Sequence, residues 1–282
     1  MDTIGKLLES KNFSKCWNKY RIEKVKYFNK TPFMFIPQNF PLILIVHLNH
    51  RSDFSILSHA INEAIKKKIV RLRLVSDEAL NLKGVTHKVH YTYLIDLSKS
   101  VNEIYSYFDS ATKKRVNKAI SKNIKIKTSE NLSDFDKWWD EIYLKWAKRK
   151  KFAVERYGFI RAVLEEKRLA KLFLAYSDDK IIAGHFVILS PSGSAFGWLN
   201  AHDEKHLDKK PNHLLMWEVI KWLKSNNYKY FDFGGAEDSK IFKEGFSSSI
   251  SMWHTYDFNF NPIISKILDL IYYIQVYIIK KY

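Results

Sequence analysis

The chain predicts a mixed α/β fold (α+β in the arrangement of its elements), and three observations carry that prediction. Three apolar runs, Leu172–Tyr176, Ile181–Leu189 and Ser194–Ala201, are joined by short polar turns and read as an antiparallel meander. A helical-period stretch, Pro211–Lys224, then leads to a further strand through Tyr228, Tyr230, Phe231 and Phe233, so helix and strand alternate around one sheet. Finally, 46% of the 282 residues are apolar and 15% aromatic, enough to fill one large domain or two of ordinary size.

In chain order, residues 1–30 read as a helix leading into a strand, and Pro32 and Pro37 bracket an apolar piece, Phe33–Ile36. Leu42–Val46 (L-I-L-I-V) is a buried strand. The polar cluster behind it (His47, Asn49, His50, Arg51, Asp53) reads as a substrate-facing loop, with an N-cap by Ser52 or Asp53 as the structural alternative. Two histidines without a second cluster of ligand spacing do not make a metal site, and none is expected. Apolar positions Ile56, Leu57, Ala60, Ile61, Ala64 and Ile65 predict a helix over Phe54–Lys68, followed by strands at Arg71–Val75 and His90–Leu97 and a helix at Ser100–Phe108. The tract Lys113–Lys127 holds seven cations and no acid; Val116, Ala119 and Ile120 mark a helical face, and Ile124 and Ile126 a strand. Ser133 with Asp136 reads as a capping box for a helix whose Trp138, Trp139, Ile142, Tyr143 and Trp146 belong to the core. After Asn261 as cap and Pro262, the tail is one apolar helix; Lys266, Asp269 and Gln275 argue against a membrane span and leave packing across the domains or a membrane surface.

Charge is the strongest bulk signal. There are 47 Lys and Arg against 30 Asp and Glu, net +17, which favours RNA, an anionic membrane face or a phosphate-bearing substrate. A genome poor in G and C, which inflates lysine, would give the same excess. Cys16 is alone, which excludes an internal disulfide and a multi-Cys metal site. No secretory h-region and no run of about 18 uncharged apolar residues appears, so the expected compartment is the cytoplasm, either free or, as the alternative, peripheral at the inner face of the membrane.

The stretch Tyr228–Phe246 (Y-K-Y-F-D-F-G-G-A-E-D-S-K-I-F-K-E-G-F) reads as the chemical centre. A strand ends on Gly234-Gly235, where backbone can turn tightly or approach a ligand. Asp232 sits at the strand end, and Lys243 lies beside Phe242, where an ammonium needs a partner or a substrate anion. An ordinary strand–turn–helix with a surface lysine would read the same way.

Four places together resemble the Fem-type (FemABX) peptidyltransferases and their acyltransferase relatives in the GNAT-like superfamily. They are K-K-R-V-N-K-A-I (Lys113–Ile120), W-A-K-R-K-K-F (Trp146–Phe152), D-D-K-I-I-A-G-H-F-V-I (Asp178–Ile188) with F-G-W-L-N-A and P-N-H-L-L-M-W-E-V-I, and F-D-F-G-G with F-K-E-G-F. The resemblance implies two GNAT-like mixed-sheet lobes facing a cleft, drawn as residues 1–105 and 106–260, with 261–282 as the C-terminal helix. It implies transfer of an amino acid or other acyl group to an amine on a cell-envelope or glycan precursor, from aminoacyl-tRNA or acyl-CoA as co-substrate, with no bound cofactor. Lys243 corresponds to the family's pocket lysine, Arg149 to an arginine meeting the acceptor's phosphate, and Arg115 to a further cation. Phe196 and Trp198 stand where the family tends to place tyrosines, and Gly234 and Gly235 border the pocket. Asp232 or His185 could act as general base, or the substrate could assist itself. The partners expected are tRNA, the phosphorylated precursor and an anionic membrane. Two alternatives remain: an acyl-CoA-dependent N-acyltransferase of surface polysaccharide synthesis, although the Q/R-x-x-G-x-G/A loop of CoA sites is missing, and a non-catalytic RNA- or membrane-binding protein on the same scaffold.

Overall fold

Strand pairing follows the side-chain alternation that the sequence carries. The computed structural model of the protein describes residues 10–20, 24–28, 31–36, 42–48, 54–152, 154–234, 239–246 and 249–273. The chain divides into two units, one formed by Met1–His90 with Met252–Tyr282 and the other by Tyr91–Ser251.

In the first unit, helix α1 (Lys11–Tyr20) precedes the antiparallel pair β1 (Lys24–Phe28) and β2 (Thr31–Ile36). Strand β3 (Ile43–Leu48) pairs antiparallel with β2. After helix α2 (Phe54–Lys66), β4 (Arg71–Ser76) lies parallel to β3, the connection a parallel pair requires. Ala60 and Ala64 turn the small face of α2 onto a core of Phe33, Phe35, Leu44, Val46, Leu72 and Leu74. One strand had no counterpart in the sequence reading. β11 (Ser249–Asn259) pairs antiparallel with β4 from His254 to Asn259, adding Tyr256 to this core. Its period-two apolar set (Ile250, Met252, Tyr256, Phe258) is interrupted by His254, which hides the pattern. Asp257 and Arg73, directly opposite in register, form two hydrogen bonds of 2.7 Å each. Helix α10 (Pro262–Tyr273) starts under an Asn261 cap, whose Oδ1 accepts from Ile264 N at 3.1 Å.

In the second unit, β5 (Thr86–Asp96) pairs through Leu94–Asp96 antiparallel with β10 (Tyr230–Asp232). Next come α3 (Val101–Ser106), capped by the Ser100–Glu103 box, and α4 (Ser110–Ser121), capped by Asp109. β6 (Lys125–Ser129) is followed by α5 (Leu132–Trp138), a π-turn (Trp139–Tyr143), α6 (Leu144–Lys150) and α7 (Tyr157–Glu165). The N-cap of α5 is Asn131, whose side chain accepts from Ser133 N, not the Ser133–Asp136 box expected. Asp136 is engaged elsewhere, accepting from the Tyr157 hydroxyl at 2.7 Å. β7 (Ala170–Ser177), β8 (Lys180–Leu189) and β9 (Ser194–His202) form the expected meander, with β6 on the far side of β7. Helix α8 (Pro211–Ser225) crosses over to β10, which is parallel to β9, and α9 (Lys240–Glu244) follows. The last strand is shorter than its aromatic run: Phe231 and Phe233 are buried, but Tyr230 is exposed.

Gly184 lets β8 lie against the fully buried Trp138. A Cβ there would sit 2.3 Å from Trp138 Nε1. Gly184→Ala is therefore expected to destabilise the fold by about 1–3 kcal/mol through overpacking, read by denaturant melts. An unchanged midpoint would contradict this packing.

Candidate functional site

Strands β9 and β10 pair from Ser194↔Tyr230 to Phe196↔Asp232, and β9 then continues to His202 paired with β8 on its other side. Beyond Phe196 the backbone of Gly197–His202 has no β10 partner. At this point β9 also slips register against β8, where Phe186 faces Leu199 and Val187 faces Gly197, leaving Trp198 as the extra residue. Such bulges re-aim side chains and cluster beside functional sites.

The candidate chemical groups meet at this fork. Asp232 ends β10 buried; its Oδ1 accepts from Gly234 N at 2.8 Å and from the Thr92 hydroxyl of β5. Those bonds fix a turn in which Gly234 takes φ +69°, a conformation open to glycine at low cost. A Cβ on Gly234 would also come within 3.2 Å of the Phe196 ring and the Gly197 carbonyl. The turn presents the Gly234 carbonyl, which accepts a short hydrogen bond from Nζ of the half-buried Lys243. The C-terminal end of α9, just after Lys243, is held in place. The Tyr93 hydroxyl donates to Glu244 Oε1 at 2.8 Å, and Asp109 N donates to Gly245 O at 3.0 Å. Gly245 abuts Thr112 of α4, leaving no room for a side chain there. The sequence placed Lys243, Asp232 and Gly234 together, and so does the structure. Gly235 and the polar run 49–53 lie outside the described residues.

His185 of β8 sits directly beneath the fork. Asn200 Nδ2 donates to its Nδ1 at 3.0 Å, which places the neutral ring's proton on Nε2. Nε2 is buried without a hydrogen-bond partner and lies where a Cβ on Gly197 would reach, 2.7 Å away. Burial, and then the ammonium of Lys243, push the imidazole down to about 3, so it stays neutral at ordinary pH. His213, in the first turn of α8, packs on Phe242 (4.9 Å) and Phe246 (5.9 Å). Burial, with Arg115 and Lys210 nearby, lowers it to about 4. The sequence reading missed the Gly197–His185–Asn200 contact and His213. A glycine inside the strand F-G-W-L-N-A was the available signal.

Of the remaining expected residues, Phe196 and Trp198 lie on β9 and Arg149 and Arg115 on helices α6 and α4. Phe196 and Trp198 pack edge to face at 6.1 Å, both half-exposed, and Trp198 leans on Phe159 of α7 (5.8 Å). Arg149, near the end of α6, pairs with Glu204 at 2.6 Å and helps lower the pKa of His202. His202 is five residues past Gly197, roughly 17 Å along an extended strand, so Arg149 belongs to the far end of the site. Arg115 projects from α4 toward His213. Arg115 and Lys210 thus lie near His213, Arg149 lies near His202, and Lys243 lies on the Gly234 carbonyl.

Both buried histidines have folded-state pKa values below the ordinary 6.5. The unfolded chain then binds more protons below pH 6.5, so their contribution to stability is present above that pH and is lost as pH falls toward 4 and 3. We expect each to remove about 1–2 kcal/mol between pH 6.5 and about pH 5, read by urea melts. His185→Asn with His213→Asn should flatten that slope, and an unchanged slope would contradict the burial assigned to them.

Comparison with known proteins places this geometry. Residues 110–244 match the acetyltransferase (GNAT) domain family. Among curated proteins no sequence match reaches significance. The fold is similar over nearly its whole length to that of FemX, at 12% identity and a TM-score of 0.73, covering 93% of this chain and 94% of FemX. The C-terminal domain of a proposed lysylphosphatidylglycerol synthetase from Agrobacterium fabrum is similar at 11% identity and a TM-score of 0.70, covering 95% of this chain and 96% of that one. L-PGS from Bacillus licheniformis follows at 13% identity and a TM-score of 0.66, with 90% and 89% covered. Residues 110–244 thus match the acetyltransferase (GNAT) domain family, and the fold of the chain is similar to that of FemX and of the lysylphosphatidylglycerol synthetase domains.

Proposed function

We propose that this GNAT-fold acyltransferase moves an amino acid from an aminoacyl-tRNA to an amine on a phosphorylated cell-envelope or glycan precursor, forming an amide. The observation that carries the reading is the Lys243 ammonium, seated on the Gly234 carbonyl where β9 and β10 part. Attack of a neutral amine on the donor's ester carbonyl makes a tetrahedral oxyanion, and a fixed cation beside the carbonyl stabilises that charge. Collapse of the oxyanion breaks the ester bond, and the amine's proton passes to the departing ribose oxygen.

Neither candidate base suits that proton transfer as it stands. Asp232 already accepts from Thr92 and Gly234, and the Nδ1 of His185 accepts from Asn200. Both act on the shape of the fork, which favours transfer within the substrates themselves. Arg115, Lys210 and Arg149 supply cations for the phosphates of tRNA and acceptor. The likeness in fold to FemX and to proteins named for lysylphosphatidylglycerol synthesis supports an aminoacyl donor.

A second reading, an acyl-CoA-dependent N-acyltransferase, is favoured by one feature. The edge Gly197–His202 can bond the extended amide arm of a donor as an added strand would. Against it, the stretch between β9 and α8 reads D-E-K-H-L-D-K-K, without the glycine-rich phosphate loop.

The two are separated by single-turnover assays with charged tRNA and with acetyl-CoA. Turnover and salt-sensitive binding of charged tRNA fit the first reading; turnover with acetyl-CoA alone replaces it with the second. With the productive donor, Lys243→Ala is expected to lower the rate by about 100- to 1000-fold. Activity unchanged in that variant would remove the oxyanion role, and a chain that binds RNA without turnover would be a binding protein on this scaffold.

A further inference from the structure

Helix α10 is tied to β4 through its polar side, where Ser265 is buried. Arg71 of β4, itself buried, donates from Nη1 and Nη2 to the two carboxylate oxygens of Asp269 at 2.8 and 2.9 Å, and from Nη2 to the Ser265 carbonyl at 3.0 Å. Its Nε donates to Asn259 Oδ1 at 3.0 Å. Ser265 and Asp269, four residues apart, therefore mark the face held by β4. Arg71 also holds the carboxyl of Asp269 below its usual range, first by those hydrogen bonds.

Ile263, Ile267 and Leu270 recur at i, i+4 and i+7 on the opposite side, with Ile264 beside them. They are 73%, 49%, 57% and 38% exposed, and Phe260 just before the helix is exposed too. An amphipathic surface helix normally turns such a stripe to the core. Here the one acid of α10, itself exposed, is tied to the buried Arg71 on the side facing β4, while four aliphatic side chains on the other side stand in water.

The charge around the stripe says what covers it. Lys266 is exposed on the helix flank, and the chain carries +17 overall. A second copy of so basic a chain would be repelled, whereas an anionic bilayer is complementary to both the stripe and Lys266. We infer that α10 docks the protein on the surface of an anionic lipid bilayer, inserting Ile263, Ile267 and Leu270 among the headgroups with Lys266 beside the lipid phosphates. This inference is independent of the acyl-transfer reading, because docking is measured without turnover.

The test is flotation of the full chain with vesicles of phosphatidylcholine alone and of phosphatidylcholine mixed with phosphatidylglycerol. Binding is expected to the mixed vesicles and to weaken, without vanishing, at high salt. Ile267→Asp with Leu270→Asp, both at exposed positions, should leave the thermal melt unchanged and weaken binding roughly tenfold or more. Three results would overturn the inference: no binding to either vesicle, binding unchanged in the variant, or a dimer in light scattering that the variant dissolves. The last would assign the stripe to a second copy.

Discussion

The site depends on one short-range arrangement: a carboxylate that fixes a glycine, whose carbonyl fixes an ammonium. Asp232 takes the N–H of Gly234 across a tight turn, and the Gly234 carbonyl then receives Lys243. Everything nearby keeps that chain of bonds in one geometry. Thr92 holds Asp232 from β5, Tyr93 holds Glu244, and the Asp109 cap of α4 holds Gly245. A half-buried ammonium is costly unless a carbonyl or an anion compensates it, and the Gly234 carbonyl does so here.

The fork itself comes from strand lengths and a register slip. β10 stops at Asp232 while β9 continues, and the slip against β8 leaves Trp198 unmatched at the same level. His185 and Gly197 fill the space below, and the imidazole stays neutral because it is buried beside a cation. A charged histidine there would repel Lys243. Its neutrality thus preserves the field in which the ammonium acts.

Much of the second unit was legible because its signals are local. The meander announced itself by polar turns between Tyr176 and Ile181 and between Leu189 and Ser194, and α8 by its apolar spacing behind Pro211. Lys243 and Gly234 were legible because glycines and a lysine among aromatics are unusual neighbours. The unread features are long-range. Pairing of β11 with β4 links residues 71–76 to 254–259, and no window of sequence holds both. The cap at Asn131 was misread because Asn, Ser and Asp all cap, and only the fold shows that Asp136 is taken by Tyr157. Arg149 was legible as a cation, but its pairing with Glu204 depends on how the loop after β9 folds back. The contact of His185 with Gly197 required knowing the β8–β9 register.

The central claim is that Lys243 faces the reacting carbonyl at the fork of β9 and β10. A crystal structure with a phosphonate analogue of the tetrahedral intermediate, joining an aminoacyl-nucleoside to an amine, tests it most directly. The account predicts a phosphonate oxygen about 3 Å from Lys243 Nζ. An analogue bound elsewhere, with Lys243 still closed on the Gly234 carbonyl, would contradict it.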